Sequence, residues 1–157
     1  MAKLKLTEVA IPDNKTMDRL AKNVRQAVKE SVPLELRGAR YGACVLSTRG
    51  KIYRGGNMFS STQSLSVHAE QAALIHAASH GDPLVRAIAI ASDDPTTEPF
   101  PCGSCRQIIF ENARHSKLDI LVLCYQPRRG RPSVHKISEL YPLPWPGRES
   151  ARNHATH

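Results

Sequence analysis

"LVRAIAIASDDPTTEPFPCGSCRQIIFENARHSKLDILVLCYQ", residues 84–126, carries the strongest fold signal in the sequence. Residues 84–92 form a short apolar run that predicts a buried strand, and the acidic, proline-rich residues after it predict a loop. A helix is expected from near Gly103 to Arg114, and residues 117–126 predict a second strand. A strand, a helix and a strand in succession predict a parallel crossover, the unit from which α/β domains are built.

The residues before this stretch predict a helix and a β-hairpin. Asp13 or Asn14 can cap a helix that runs to about Ser31, because apolar residues recur there at helical spacing. Residues 41–57 contain two apolar runs around a tight turn at Gly50, which is typical of a hairpin.

The hairpin leads into a second helix. Residues 57–66 are a polar connection, and a helix is predicted from about Ser66 to Ser79 with Gly81 just past its end. Near the end of the chain, residues 134–142 predict a strand that turns into a short helix. This order of elements predicts an α/β domain in which a sheet joined by parallel crossovers lies between helices.

Length and composition fit one domain. The 157 residues are enough to bury a core, so we expect a single domain over 1–147 and a flexible tail over 148–157. No apolar run approaches the roughly 20 residues of a membrane helix, and the first residues lack the apolar stretch of a secretory signal. We therefore expect a cytoplasmic protein with no membrane partner.

The net charge of +8 raises the possibility of a nucleic-acid partner. Much of this charge lies near the C-terminus, where "PRRGRP" (127–132) has no interleaved aromatic residues for base stacking. We favour a solvated basic loop over a phosphate-binding surface.

Two of the four cysteines have a spacing typical of chemistry. Cys102 and Cys105 form a C-x-x-C pair at the start of the helix predicted over 103–114, where the helix dipole favours thiolates. Such a pair is half of a tetrahedral zinc site or a redox-active dithiol. Cys44 and Cys124 lie in apolar runs, which predicts that they are buried as small apolar side chains.

His68 and Glu70, in "SVHAEQAALIHA" (66–77), favour the metal. Alone they are compatible with a solvated helix start. If the two helices pack side by side on one face of the sheet, however, His68 faces Cys102 and Cys105. Two thiolates and one imidazole leave a fourth zinc position open for water, as catalytic zinc requires, and Glu70 would lie beside that water and exchange protons with it.

The combination H-x-E and P-C-x-x-C is typical of zinc-dependent deaminases, and residues 16–147 resemble the small cytidine deaminases. The matching stretches are "YGACVLSTRGKIYRGGN", "HAEQAAL", "SDDPTTEPFPCGSCRQIIFE" and "ISELYPLPW". The resemblance implies a three-layer α/β/α fold with a mixed sheet of about five strands. It also implies a Zn²⁺ cofactor, a free cytosine nucleoside as substrate, and a homotetramer or homodimer whose active sites share residues across interfaces.

The resemblance assigns individual residues. His68, Cys102 and Cys105 match the zinc ligands, and Glu70 matches the proton shuttle. Two further positions match substrate contacts, namely Asn57 to a sugar hydroxyl and the backbone N–H of Ala69 to the base carbonyl.

Gln71 stands where family members with three thiolate ligands have an arginine. Zn²⁺ with two thiolates is formally neutral, so no compensating cation is required beside this metal site.

Two departures from the family concern the substrate. Phe59, a candidate substrate-binding residue, stands where the family has a glutamate that also binds the sugar. Ala39 stands where the family has an aromatic residue that stacks on the base, and Tyr41, Phe59 or Trp145 could replace it, including from a neighbouring subunit.

These residues predict an enzyme, a zinc-dependent aminohydrolase that converts cytidine or deoxycytidine to the uracil nucleoside and ammonia. Phe59 and Ala39 keep open a modified cytosine nucleoside, such as one related to blasticidin S. The basic charge keeps open a polynucleotide substrate, and loss of the sugar-binding glutamate keeps open a non-catalytic, zinc-stabilised binding protein. The sequence does not decide between pyrimidine salvage and detoxification.

Overall fold

The computed structural model describes residues 5–33, 39–127 and 129–144. The predicted tail and Trp145 lie outside these ranges. The helices are α1 (Asn14–Glu30), α2 (Ala69–Ser79), α3 (Gly103–Ser116) and α4 (Ile137–Leu140), with a 3₁₀ turn at Gln63–Leu65. The strands are β1 (Thr7–Glu8), β2 (Val32–Pro33), β3 (Tyr41–Ser47), β4 (Ile52–Gly56), β5 (Met58–Phe59), β6 (Val85–Ser92), β7 (Leu118–Asp119), β8 (Leu121–Tyr125) and β9 (Ser133–Lys136).

Five strands form a mixed sheet in the order β4-β3-β6-β8-β9. The β6–β8 pair is parallel and the other three pairs are antiparallel. α3 joins the parallel neighbours β6 and β8, as the strand-helix-strand pattern predicts. α2 joins β4 to β6, which run in the same direction with β3 between them. The predicted mixed α/β sheet is therefore confirmed, although only one of its helical crossovers joins adjacent strands.

The two faces of the sheet bury separate apolar clusters. Along β3, Ala43 and Val45 point to the cluster that α2 and α3 cover, whereas Cys44 and Leu46 point to the cluster under α1. This alternation is the two-residue period of a strand that is covered on both faces. The three-layer arrangement follows, with α1 on one side and the helices that carry the predicted metal ligands on the other.

α2 lies unusually close to the edge of the sheet. A Cβ atom built on Gly55 of β4 would lie 2.3 Å from the backbone nitrogen of Ala73 in α2. Any side chain at position 55 would therefore push the helix away from the strand. Gly55 therefore sets the distance between α2 and β4, and with it the position of His68 at the start of that helix.

The observed ends of α1 agree with the sequence, but the start of α2 does not. Asp13 caps α1 by accepting a hydrogen bond from the backbone N–H of Thr16 at 2.7 Å. α2 begins at Ala69, three residues after the predicted start, because Val67 is extended and exchanges two 2.9 Å backbone hydrogen bonds with Met58. The connection over 57–66 contains β5 and the 3₁₀ turn, and the predicted start of α2 near Ser66 was wrong.

No helix among the described residues is long and apolar enough to cross a membrane.

Candidate metal centre and adjoining cavity

The three predicted metal ligands come from the starts of two neighbouring helices. His68 is the residue that precedes α2, and Cys102 is the residue that precedes α3. Cys105 lies one turn into α3 and is fully buried. Because α2 and α3 pack on the same face of the sheet, their first turns bring the three side chains together, as the sequence predicts.

The distances fit a tetrahedral metal. Nδ1 of His68 lies 3.4 Å from Sγ of Cys102 and 3.4 Å from Sγ of Cys105. Typical Zn–S and Zn–N bonds at a tetrahedral angle place sulfur and nitrogen about 3.6 Å apart. Nδ1 has either one proton or one lone pair, so it cannot hydrogen-bond two thiols equally, and this convergence fits a shared cation better. In the described part of the chain, no other group of three His, Cys, Asp or Glu side chains has this arrangement.

The two thiols differ in their surroundings. Burial acts to raise the pKa of Cys102, but the Ser104 hydroxyl at 3.1 Å and the backbone N–H of Cys105 outweigh it, so that its pKa lies below the ordinary value. Burial raises the pKa of Cys105, and the nearby charges of Glu70 and Cys102 raise it further. A buried thiol beside two anionic groups needs a cation to hold its thiolate form, which again fits a metal at this point.

Gln71 has a local role that the sequence analysis missed. Its side-chain Oε1 accepts a 3.1 Å hydrogen bond from the backbone N–H of His68, which fixes the chain at the start of α2. A glutamine here therefore holds the predicted metal ligand His68 in place and adds no charge to the site.

Glu70 is the buried acid of this region. It lies one residue into α2, is only 6% exposed, and lines the same cavity as His68 and Cys102. Burial raises the pKa of its carboxyl group above the ordinary value. A buried carboxyl group with a raised pKa that faces a cavity is suited to both accept and donate protons.

The cavity beside the metal ligands has a volume of about 260 Å³. This is close to the lower end of the range of roughly 300–1,000 Å³ for pockets that hold small organic molecules. Its lining combines three aromatic side chains with a few polar groups, namely Tyr41, Asn57, Phe59, His68, Ala69, Glu70, Phe100 and Cys102. All of the predicted site residues except Cys105, which lies behind its neighbours in α3, reach this cavity.

Asn57 is fixed by the protein through one side of its amide. Its Oδ1 accepts hydrogen bonds from the Ser31 hydroxyl and from the backbone N–H of Tyr41, both at 2.6 Å. Because a backbone N–H can only donate, the oxygen must be the atom on this side and Nδ2 must lie on the other. Nδ2 is buried and has no hydrogen-bond partner within the described residues. An unsatisfied buried donor is costly, so this atom is well placed to donate to a ligand.

Phe59 and Tyr41 form an aromatic wall next to the metal ligands. Their ring centroids are 6.5 Å apart in an edge-to-face arrangement, and the ring of Phe59 stands edge-to-face to His68 at 6.3 Å. Phe59 therefore faces the cavity, at the place where the family resemblance implies a glutamate. Ala69 also lines the cavity, and its backbone N–H belongs to the first turn of α2, which lacks carbonyl partners within the helix.

Phe100 and His135 were not among the site residues predicted from the sequence. Phe100 lines the cavity from the loop before the cysteine pair, and its ring packs at 5.1 Å against that of His135. His135 is half-buried on β9 and hydrogen-bonded to Ser133. The available signal was a large apolar residue between two prolines in an otherwise polar loop.

Helix starts that bring a histidine and two cysteines together, with a buried glutamate at the same cavity on an α/β/α scaffold, define the class of zinc-dependent base deaminases. The model of the cytidine and deoxycytidylate deaminase zinc-binding region matches residues 14–120. The chain belongs to this family, and its cofactor is zinc.

Similar proteins agree with this membership. A protein of Dictyostelium discoideum named probable cytidine deaminase is 36% identical over 100 residues, which are 62% of this chain and 65% of that protein. The cytidine deaminase of Halalkalibacterium halodurans is 37% identical over 97 residues, 60% of this chain and 72% of that protein. The match to the Dictyostelium protein thus spans just under two thirds of its length.

The fold has a close counterpart among solved structures. The crystal structure of cytidine deaminase from Burkholderia pseudomallei superimposes with a TM-score of 0.69 at 25% identity, covering 78% of this chain and 94% of that one. The predicted three-layer fold is therefore confirmed.

Proposed function

We propose that this protein is a zinc-dependent aminohydrolase that converts free cytidine or deoxycytidine to uridine or deoxyuridine and ammonia. The observation that carries the proposal is the convergence of His68, Cys102 and Cys105 on one point, with the buried carboxyl group of Glu70 at the same cavity. Family membership and the names of the relatives support the same reaction.

The metal is held by Nδ1 of His68 and the sulfur atoms of Cys102 and Cys105. Bound Zn²⁺ supplies Lewis acidity that lowers the pKa of water to about 7. The two thiolates and the neutral imidazole balance the charge of the ion, so the site requires no further charged residue.

Glu70 moves the protons. It accepts a proton from the attacking water and delivers it to N3 of the cytosine ring. It then takes the proton of the new 4-hydroxyl group and donates it to the departing 4-amino group, which leaves the 4-carbonyl of the uracil nucleoside and ammonia. Its burial removes bulk water as a competing proton acceptor and raises the pKa of its carboxyl group above the ordinary value.

Two groups orient the substrate. The backbone N–H of Ala69 donates to the 2-carbonyl of the base, beside the metal ligand His68. Nδ2 of Asn57 donates to a sugar hydroxyl, which satisfies the one buried side-chain donor of the cavity that has no partner in the described protein.

A modified cytosine nucleoside is the second candidate substrate, because Phe59 makes the sugar side of the cavity more apolar. The test is a panel of cytidine, deoxycytidine, free cytosine, blasticidin S and single-stranded DNA, followed by loss of the 4-amino chromophore. Turnover of the unmodified nucleosides is the expected result. Turnover of blasticidin S alone would select the second candidate, turnover of single strands alone a polynucleotide deaminase, and no turnover with zinc bound a binding protein.

We further propose that the protein is a homo-oligomer, a dimer or tetramer, that works in the cytoplasm in pyrimidine salvage. Exposed apolar side chains next to the cavity-lining Phe59, such as Met58, support a subunit contact there. All four cysteines, which lie within the described ranges, are free thiols, and free thiols are typical of reducing compartments. Light scattering on the purified protein should give a mass two or four times that of the 17.3 kDa chain.

A further inference from the structure

We propose that Phe100 contacts the bound nucleoside, and that Glu98, Ser133 and His135 form a clasp that holds Phe100 in this position. The inference rests on the proposed function, because it concerns the substrate of that reaction. It adds a contact residue and three positioning residues to which the family resemblance assigns no role.

Phe100 is presented by a stiff segment. It lies between Pro99 and Pro101, both of which are buried, whereas the Phe100 side chain remains 40% exposed at the cavity. Proline fixes its own φ angle and restricts the residue before it. In addition, the backbone N–H of Phe100 donates to the carbonyl of Glu98 at 2.9 Å. The ring is therefore offered to the cavity with little remaining backbone freedom.

The clasp joins this segment to the edge strand β9. The Ser133 hydroxyl donates to the carboxylate of Glu98 at 2.5 Å. Its single proton is used in that bond, so Nε2 of His135 must donate to the Ser133 oxygen, 3.1 Å away. Ser133 and His135 are two residues apart on one strand and thus point to the same face, where the His135 ring packs against Phe100.

The other end of the segment is tied to α3. Nε of Arg106 donates to the carbonyl of Pro101 at 2.9 Å. The loop is thereby held both to β9 and to the helix that carries the two cysteines, so Phe100 keeps a constant position relative to the metal ligands. An exposed aromatic ring that is fixed in this way next to a cavity is suited to pack against a planar base.

The geometry also explains how the cavity compensates for Ala39. The aromatic residue that the family places before β3 is absent, and the three rings of the cavity come from Tyr41, Phe59 and Phe100 instead. Tyr41 and Phe59 contact each other edge-to-face, while Phe100 packs on His135. One side of the Phe100 ring thus packs against His135, and the rest of the ring is open to the cavity.

The test is a double-mutant cycle on kcat and KM for cytidine. Phe100→Ala should raise KM at least about fivefold, the lower limit for loss of one stacked base, with kcat nearly unchanged and one equivalent of zinc retained. Phe100→Tyr should restore the native KM. Ile11→Ala, at a residue 67% exposed and outside the cavity lining, is the matched surface control and should change nothing.

The clasp is tested in the same cycle. Ser133→Ala should raise KM by a smaller factor in the native protein and have no effect in the Phe100→Ala background, because it acts through that ring. An equal effect of Ser133→Ala in both backgrounds would overturn the clasp, and a native KM in Phe100→Ala would overturn the contact. If the native protein deaminates no cytosine nucleoside, the proposed function itself fails, whereas activity with a native KM in Phe100→Ala overturns this inference alone.

Discussion

The metal side and the substrate side of the cavity are built in different ways. The predicted metal ligands and Glu70 lie at the starts of two helices, where position relative to the helix fixes the direction of each side chain. The substrate side collects Asn57, Phe59 and Phe100 from chain segments that have little or no regular structure. Short sequence motifs therefore position the predicted catalytic residues, whereas contacts between separate chain segments position the rest of the cavity lining.

This difference separates two kinds of change. A substitution on the metal side should abolish the reaction for every substrate, because all of them share the same step. A substitution on the substrate side should instead alter KM and the choice of sugar, and leave the metal and the proton transfer intact.

The largest effect is expected from loss of a metal ligand. Cys105→Ser should lower bound zinc from one equivalent to a small fraction and reduce deamination to background, since a hydroxyl does not replace a buried thiolate ligand. Metal analysis of the purified protein and a chelation series on the native enzyme would measure this. Cys44→Ala is the matched control, because Cys44 is buried under α1 on the opposite face of the sheet. Full zinc content and native activity in Cys105→Ser would show that the metal side of the cavity is not needed for the reaction.

Glu70→Gln should lower kcat by about 10²–10⁴-fold while zinc remains bound, because the amide cannot carry the proton from water to the base. Glu111→Gln, which removes a carboxylate exposed on α3, should keep the native rate. Steady-state kinetics gives kcat for both variants, and metal analysis gives their zinc content. Activity within a few fold of native in Glu70→Gln would show that another group transfers the proton.

The sequence predicts the metal side almost completely, because its residues need only local rules. Cys102 and Cys105 are one turn apart, and His68 and Glu70 are within three residues, so helix geometry orients them once the two helices pack together. The one nonlocal assumption is that α2 and α3 share a face of the sheet, and both helices do pack on the same core cluster.

The substrate side could be predicted only in part. Asn57 and Phe59 were identified through the family resemblance, and Phe100 was missed because nothing local links its loop to β9. The start of α2 was misplaced for a similar reason, since the pairing of Val67 with Met58 is a contact between distant residues that overrides local helix preference.

On the substrate side, Asn57→Ala should raise KM for cytidine roughly ten- to a hundredfold through loss of the Nδ2 donor, with zinc content unchanged. The same change removes the acceptor of Ser31 and Tyr41, so the protein should also unfold at lower temperature. Ser31→Ala loses one of these internal bonds but keeps Nδ2, and should retain the native KM. An equal rise in KM in Ser31→Ala would assign Asn57 a purely structural role.

The smallest effect is expected from Phe59, which lines the cavity at the position where the family resemblance implies a sugar-binding glutamate. Phe59→Glu should lower KM for cytidine by up to about tenfold, because the carboxylate can accept a hydrogen bond from a sugar hydroxyl, whereas KM for 2′,3′-dideoxycytidine should not fall. Phe59→Leu is the control that keeps the wall apolar and should not separate the two nucleosides. Since Phe59 also touches the His68 ring, zinc content must be measured in both variants. A parallel change of KM for both nucleosides in Phe59→Glu would mean that residue 59 acts through the metal site and not through the sugar. Because Phe59 lines the cavity and also contacts the His68 ring, this result would show that the metal side and the substrate side do not act separately.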